Sequence, residues 1–182
     1  MELLIILVVV LVLAGFFAMA YNGLVKLRNA VQNAWAQIDV QLKRRYDLIP
    51  NLVETVKGYA SHERETFEAV TQARAKAMAA TSVREQAGAE AELSQALFNL
   101  RAVAEQYPDL KANQNFAQLQ DELTNTEDRI ASSRQGYNNA VRVYDTRRQS
   151  IPYNIVAALG NFQSYEYFET DPDSRSPVKV EF

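Results

Sequence analysis

Hydrophobic and polar positions divide this chain into contrasting parts. From Leu3 to Val25 the run LLIILVVVLVLAGFFAMAYNGLV holds no charged side chain. As a helix it is about 35 Å long, enough to cross a hydrocarbon core of about 30 Å with some tilt. The pattern then changes to alternating three- and four-residue steps. Leu24, Val31, Trp35, Ile38, Leu42, Ile49, Leu52, Val56, Tyr59, Val70, Ala73 and Ala77 share one seam, interrupted by Arg28, Arg45, Glu63 and Thr66. Leu27, Leu48, Val53 and Phe67 widen it into the stripe of a bundle helix. No turn cluster breaks the register before Thr81, so the pattern predicts one helix from the apolar run to about Ala80.

The capping-box pattern Ser82-Val83-Arg84-Glu85 predicts the start of a second helix. Its apolar face is Leu93, Leu97, Leu100 and Val103, and Tyr107-Pro108 ends it. Asn113 is the candidate N-cap of a third. Phe116, Leu119, Leu123, Thr126, Ile130, Tyr137, Ala140 and Tyr144 recur along that helix at heptad spacing. Pro152 closes it and can open a short fourth, PYNIVAAL, with Gly160 as its stop. FQSYEYFE is aromatic enough to pack on a bundle. The final TDPDSRSPVKVEF is polar and proline-broken, with Val178, Val180 and Phe182 alternating as in a short strand.

The expected fold is therefore all-α. An N-terminal transmembrane helix (1–25) precedes an elongated antiparallel bundle of three long helices and a short fourth (26–168), followed by an extended polar tail (169–182). The predicted long helices measure about 85, 36 and 57 Å. A second helix folding back from the far end would cover only the distal half of the first, and the third would run outward again. The stretch from Leu24 to Asp47 is then left with an apolar seam and no partner in its own chain. Apolar seams are normally buried, and neighbouring copies held parallel by the membrane are the simplest cover. Leu24, Val31, Trp35, Ile38 and Leu42 are thus the expected seam of a homo-oligomer. Pro50 would release the carbonyl of Tyr46 and kink the shaft where this stalk meets the bundle.

Composition removes several chemistries. A chain without cysteine and with one histidine lacks thiol nucleophiles, Cys/His zinc sites and iron–sulfur ligation. His62-Glu63 has no second histidine in zincin spacing, and the carboxylates read as wet helix faces. No glycine-rich phosphate loop or nucleophile elbow is present, so the sequence predicts neither catalysis nor a cofactor nor a metal. A net charge of −3 gives no footprint for nucleic acid. Lys43-Arg44-Arg45 is a candidate patch for lipid headgroups or a partner, with a solvated or interchain-paired basic patch near Asp39 and Asp47 the plainer reading. Ala18-Met19-Ala20 resembles a signal-peptide cleavage site, but no basic residue precedes the apolar run, so the run is expected to stay as an anchor. Lys26 and Arg28 follow it, which predicts an outside N-terminus and a cytoplasmic bundle at a bacterial inner membrane.

Taken in order, Tyr21-Asn22-Gly23-Leu24-Val25, Ala34-Trp35-Ala36-Gln37-Ile38-Asp39-Val40-Gln41-Leu42-Lys43-Arg44-Arg45 and Asp47-Leu48-Ile49-Pro50-Asn51-Leu52-Val53 closely resemble the LemA family. Ala60-Ser61-His62-Glu63, Tyr107-Pro108-Asp109-Leu110, Asn115-Phe116, Thr126-Glu127, Tyr137-Asn138, Pro152 with Asn154, and Phe168-Glu169 extend the likeness over nearly the whole chain. Asp128 departs from it, standing where the family often has asparagine. The resemblance implies a single-pass, N-out membrane protein with a helical bundle and no known enzymatic activity. It also implies association with an HtpX-type membrane metalloprotease in some members, and with magnetosome membrane formation in a relative. Two readings follow: a scaffold that self-associates through its membrane-proximal helix, or an adaptor of a membrane protease in envelope quality control. A lipid-remodelling helix is a third.

Overall fold

The computed structural model describes residues 1–168; the tail from Glu169 onward, with its expected strand at Val178, Val180 and Phe182, lies outside the described residues. Six helices follow one another: α1 (Glu2–Lys57), α2 (Arg64–Ala79), α3 (Val83–Ala104), α4 (Pro108–Lys111), α5 (Gln114–Gln149) and α6 (Tyr153–Leu159). No strand occurs among the described residues, and the all-α bundle expected from the pattern is what forms. Among the described residues one helix, α1, is long and apolar enough to cross a membrane.

The first expected helix is in fact two. The chain leaves α1 at Lys57, and the amides of Tyr59 and Ala60 both turn back to the Val56 carbonyl, at 3.0 and 2.9 Å. Gly58 opens this turn, where a residue about 1 kcal/mol poorer than alanine as a helix former weakens continuation. Exposed Ser61 and His62 complete it, while Ala60 is buried within it. The seam concealed the break because Val56, Ala60, Phe67 and Val70 are buried on both sides of the reversal.

Capping chemistry sets the later boundaries. Ser82 and Glu85 form the full reciprocal box at the start of α3. The Asn113 side-chain oxygen, Oδ1, accepts from the backbone amides of Asn115 and Phe116, at 2.9 and 3.2 Å, and starts α5. Pro108, which ends the second predicted helix, begins the single turn of α4.

The chain divides into two compact units. The first comprises Met1–Leu42 and Asp128–Glu166. Here α5 runs antiparallel to α1: Phe16 meets Tyr153 at one end, and Trp35 meets Tyr137 edge-on at 5.4 Å further along. This overturns the expectation that the Leu24–Asp47 seam lacks a partner in its own chain. Leu24, Val31 and Ile38 are wholly buried and Leu42 nearly so, while Trp35 is half-buried against Tyr137. The physical reason is the extra turn after Lys57, which reverses the direction of everything beyond it and returns α5 toward the apolar end.

After α6 an extended aromatic strap seals this unit. Phe162 lies edge-on to Tyr21 at 5.3 Å and under the Arg28 guanidinium at 5.4 Å. Tyr144 and Tyr137 donate their hydroxyls to the carbonyls of Gln163 and Glu166, at 2.8 and 2.9 Å. Gly160 does stop α6, but for want of space. A Cβ there would lie 2.7 Å from the Phe162 ring and 3.1 Å from that of Tyr21. The left-handed backbone conformation falls instead on Asn161, at φ 52°.

Burial, followed by the neighbouring Tyr165 and Glu166, pushes the Tyr137 phenol from 10.0 up to about 12, and burial raises Tyr144 as well. A folded-state pKa above the unfolded one adds stability that is whole below pH 10 and is lost as pH climbs toward 12. In an alkaline titration followed by phenolate absorbance and circular dichroism, the latest-ionising tyrosines should appear together with loss of helix. Tyr137→Phe should remove part of that late signal and cost about 1 kcal/mol in urea unfolding at neutral pH. Ionisation of every tyrosine near pH 10 with the helices intact would contradict the clasp.

Candidate functional site

The second unit, Lys43–Glu127 with Tyr167 and Phe168, is built from the end of α1, α2, α3, α4 and the start of α5. Its most demanding residue is Arg45, which falls on the apolar seam of α1 and is only 2% exposed. A guanidinium taken from water needs charge and hydrogen bonds in return. Nη1 donates to Glu90 at 2.8 Å, and Nη2 to the Ser94 hydroxyl at 2.8 Å and to Glu127 at 3.0 Å. Glu90 is as buried as Arg45, whereas Glu127 is half-exposed.

Tyr46, the next residue, uses both its ends. Its hydroxyl donates in a short bond to Glu90 and accepts from the Gln86 amide at 2.9 Å. Burial first, then the hydrogen bond and charge of Glu90, hold this phenol above its usual pKa, so it remains a donor. Gln86 also donates to the Ala77 carbonyl at 3.3 Å. The backbone carbonyl of Tyr46 is the group that Pro50 deprives of its intrahelical amide. It accepts instead from Arg74 Nε on α2, at 2.8 Å.

These contacts revise the sequence-based candidates. α1 continues through Pro50 to Lys57, as the pattern predicts, and the Tyr46 carbonyl freed by the proline becomes a docking point for α2, which the sequence did not show. Lys43, Arg44 and Arg45 do not form one basic patch. Lys43 pairs with Asp47 at 2.7 Å on the surface, Arg44 with Glu122, and Arg45 points into the interior. Helical spacing is the reason: consecutive residues lie about 100° apart around the axis.

Sequence reasoning missed Arg74, Gln86, Glu90 and Glu127. One signal was available, because Gln86 and Glu90 extend the Leu93 face of α3 toward its N-terminus, placing two polar residues on an apolar stripe. As chemistry the cluster is closed. Glu90, the Tyr46 hydroxyl and both terminal nitrogens of Arg45 are engaged with one another and their neighbours, although Arg45 Nε meets no hydrogen-bond acceptor among the described residues, and Glu90 is only 2% exposed. What the arrangement does is fix the register of four helices.

Comparison with known proteins gives a consistent picture. The LemA family model matches residues 34–182. Magnetosome protein MamQ 2 of Paramagnetospirillum magneticum is 27% identical, the match covering 88% of this chain and 68% of that protein. Magnetosome protein MamQ of Magnetospirillum gryphiswaldense is 26% identical over the same shares. Protein LemA of Metamycoplasma hominis is 27% identical, over 90% of this chain and 77% of its own length.

Two measurements test the network. Glu90→Gln, leaving the buried arginine with only its half-exposed partner, should cost about 3–5 kcal/mol in urea unfolding. Glu127→Gln should cost about 1 kcal/mol or less. Equal losses would refute the ranking. Arg74→Met should cost about 1.5–3 kcal/mol, and much less in a Pro50→Ala background where an amide again serves the Tyr46 carbonyl. An unchanged cost would show that Arg74 acts independently of the proline.

Proposed function

The chain belongs to the LemA family, and we propose that it is a non-enzymatic, membrane-anchored scaffold whose copies associate through the outward face of α1. The observation that carries this reading is the composition of α1 itself. One unbroken helix begins with apolar side chains, from Leu3 to Leu13, that are exposed among the described residues, and continues as a wall of the bundle. Such a run suits a hydrocarbon environment, and its length suits a span. Lys26 and Arg28 just beyond it favour an outside N-terminus and a cytoplasmic bundle at a bacterial inner membrane. The closed Arg45–Glu90 cluster supports a structural role over a catalytic one.

Burial of Leu24, Val31, Ile38 and Leu42 within the chain moves the proposed association surface to the opposite side of α1. There Asn29, Asn33, Ala36 and Val40 recur at heptad spacing and are exposed, Val40 at 65%. Their small and amide side chains permit close helix approach and hydrogen bonding between parallel copies. The name of the magnetosome relatives is compatible with a part in a larger assembly.

Full-length protein in lipid discs should have a native mass that is a discrete multiple of the single chain. Val40→Asp should bring it to the single-chain value with helical circular dichroism unchanged, while Ile38→Asp should instead damage the fold. A wild-type protein that is always a single chain would overturn self-association. The α1 face would then be open to another membrane protein, as in the adaptor reading with a membrane metalloprotease.

A further inference from the structure

Three large apolar side chains stand exposed at the junction of α5 and α6: Ile155 and Leu159 one turn apart on α6, and Ile151 in the turn just before it. Ile151, Ile155 and Leu159 follow at four-residue spacing and are 82%, 60% and 72% exposed. The opposite side of α6 is satisfied, since Val156 and Ala157 are buried in the first unit. A short helix that is apolar both inward and outward is unsuited to water on its outer side.

The same unit fixes where this face lies. Tyr153, the first residue of α6, meets Phe16 with ring centroids 6.4 Å apart. At its other end, the position a Gly160 Cβ would occupy is 3.1 Å from the Tyr21 ring. Both Phe16 and Tyr21 belong to the apolar run of α1, and Phe16 precedes Asn22 by about 9 Å along the helix axis. α6 therefore lies beside the last turns of that run. An interfacial helix buries its apolar face about 5–10 Å into the headgroup and acyl boundary, the same depth. Exposed Arg147 stacks its guanidinium on the Tyr153 ring at 4.6 Å, and Lys26 is exposed one turn beyond Asn22. Both can extend their stems along apolar surface and leave their charge among lipid phosphates.

We propose that α6 is a second membrane contact: a short interfacial helix that inserts Ile151, Ile155 and Leu159 into the same leaflet from which α1 emerges, with Arg147 and Lys26 at its phosphate level. The occupant of this face is lipid. Its continuity with the apolar run distinguishes it from the scattered apolar residues elsewhere on the surface. This inference rests on α1 being the anchor.

The absence of cysteine from the chain makes site-specific labelling direct. Full-length Leu11→Cys, Ile155→Cys, Leu159→Cys and Gln120→Cys variants, each carrying an environment-sensitive fluorophore, are reconstituted in vesicles of equal parts phosphatidylglycerol and phosphatidylcholine. Labels at 11, 155 and 159 should be quenched when the acyl chains carry bromine and should resist aqueous iodide; the label at 120 should do the reverse. Iodide quenching at 155 and 159 with lipid quenching at 11 would overturn the α6 contact and leave the anchor standing. Resistance to both quenchers at 155 and 159 would mean that protein covers the face, and would also overturn it. Iodide quenching at 11 would remove the anchor and the inference together. The side chains replaced at 11, 155 and 159 are exposed and that of Gln120 is half-buried, so the three variants that carry the question retain its packing.

Discussion

An arginine held in an apolar seam is costly unless every helix around it is in place, and Arg45 imposes that condition on the second unit. Its guanidinium draws in α3 through Glu90 and Ser94, and α5 through Glu127. The adjoining Tyr46 binds α3 through its hydroxyl and α2 through its carbonyl. Two consecutive residues of α1 thus bond to all three long helices that surround them in this unit. A stripe of Leu, Val and Ala tolerates a slip of one turn, because one aliphatic contact replaces another. The ionic cluster does not, since a slip leaves a buried charge unpaired at a cost of several kcal/mol. Apolar burial provides the cohesion here, and the cluster provides the register.

That division explains which parts of the fold were legible in the sequence. Periodicity reports burial, so it identified most core positions on α1 and α5, but on α3 only Leu93 and Leu100 of a buried face that also holds Gln86, Ala89, Glu90, Ala96 and Ala104; the caps at Ser82 and Asn113 came from local side-chain chemistry. The turn at Gly58–Glu63 left no trace in periodicity because the apolar face resumes across it. Missing one reversal changed the direction of every later helix, and with it the partner of the membrane-proximal seam. The interruptions were better clues than the pattern. Arg28 and Arg45 broke the seam, and each has a built partner: the Phe162 ring for one, buried Glu90 for the other. Those partners lie far along the chain, and spacing alone does not pair distant residues. Pro50 was likewise legible as a released carbonyl, while the arginine that takes it up was not.

The first unit solves a different problem. It contains two antiparallel helical stretches and a short helix, too few elements to surround an apolar seam completely. The remaining side is closed by extended chain, whose backbone groups need partners of their own. Tyr137 and Tyr144 meet that need by filling the seam with their rings while giving their hydroxyls to carbonyls of the strap. A phenol suits the place because one residue satisfies both the apolar and the polar demand. Gly160 belongs to the same device, since any side chain there would push the Phe162 ring away from Tyr21.

The two units also differ in what they leave exposed. In the second, the large exposed apolar residues Tyr59, Met78, Phe98 and Tyr167 are scattered over separate segments of the chain, as isolated groups are on any soluble surface. In the first, besides the isolated Val40 and Val143, exposed apolar groups fill α1 from Leu3 to Leu13 and gather at Ile151, Ile155 and Leu159. Aqueous folding alone gives no reason to gather such groups in one unit while the other, of the same chain, remains ordinary. A hydrocarbon phase meeting the first unit does give a reason, because it reverses the sign of the transfer free energy for the side chains it reaches.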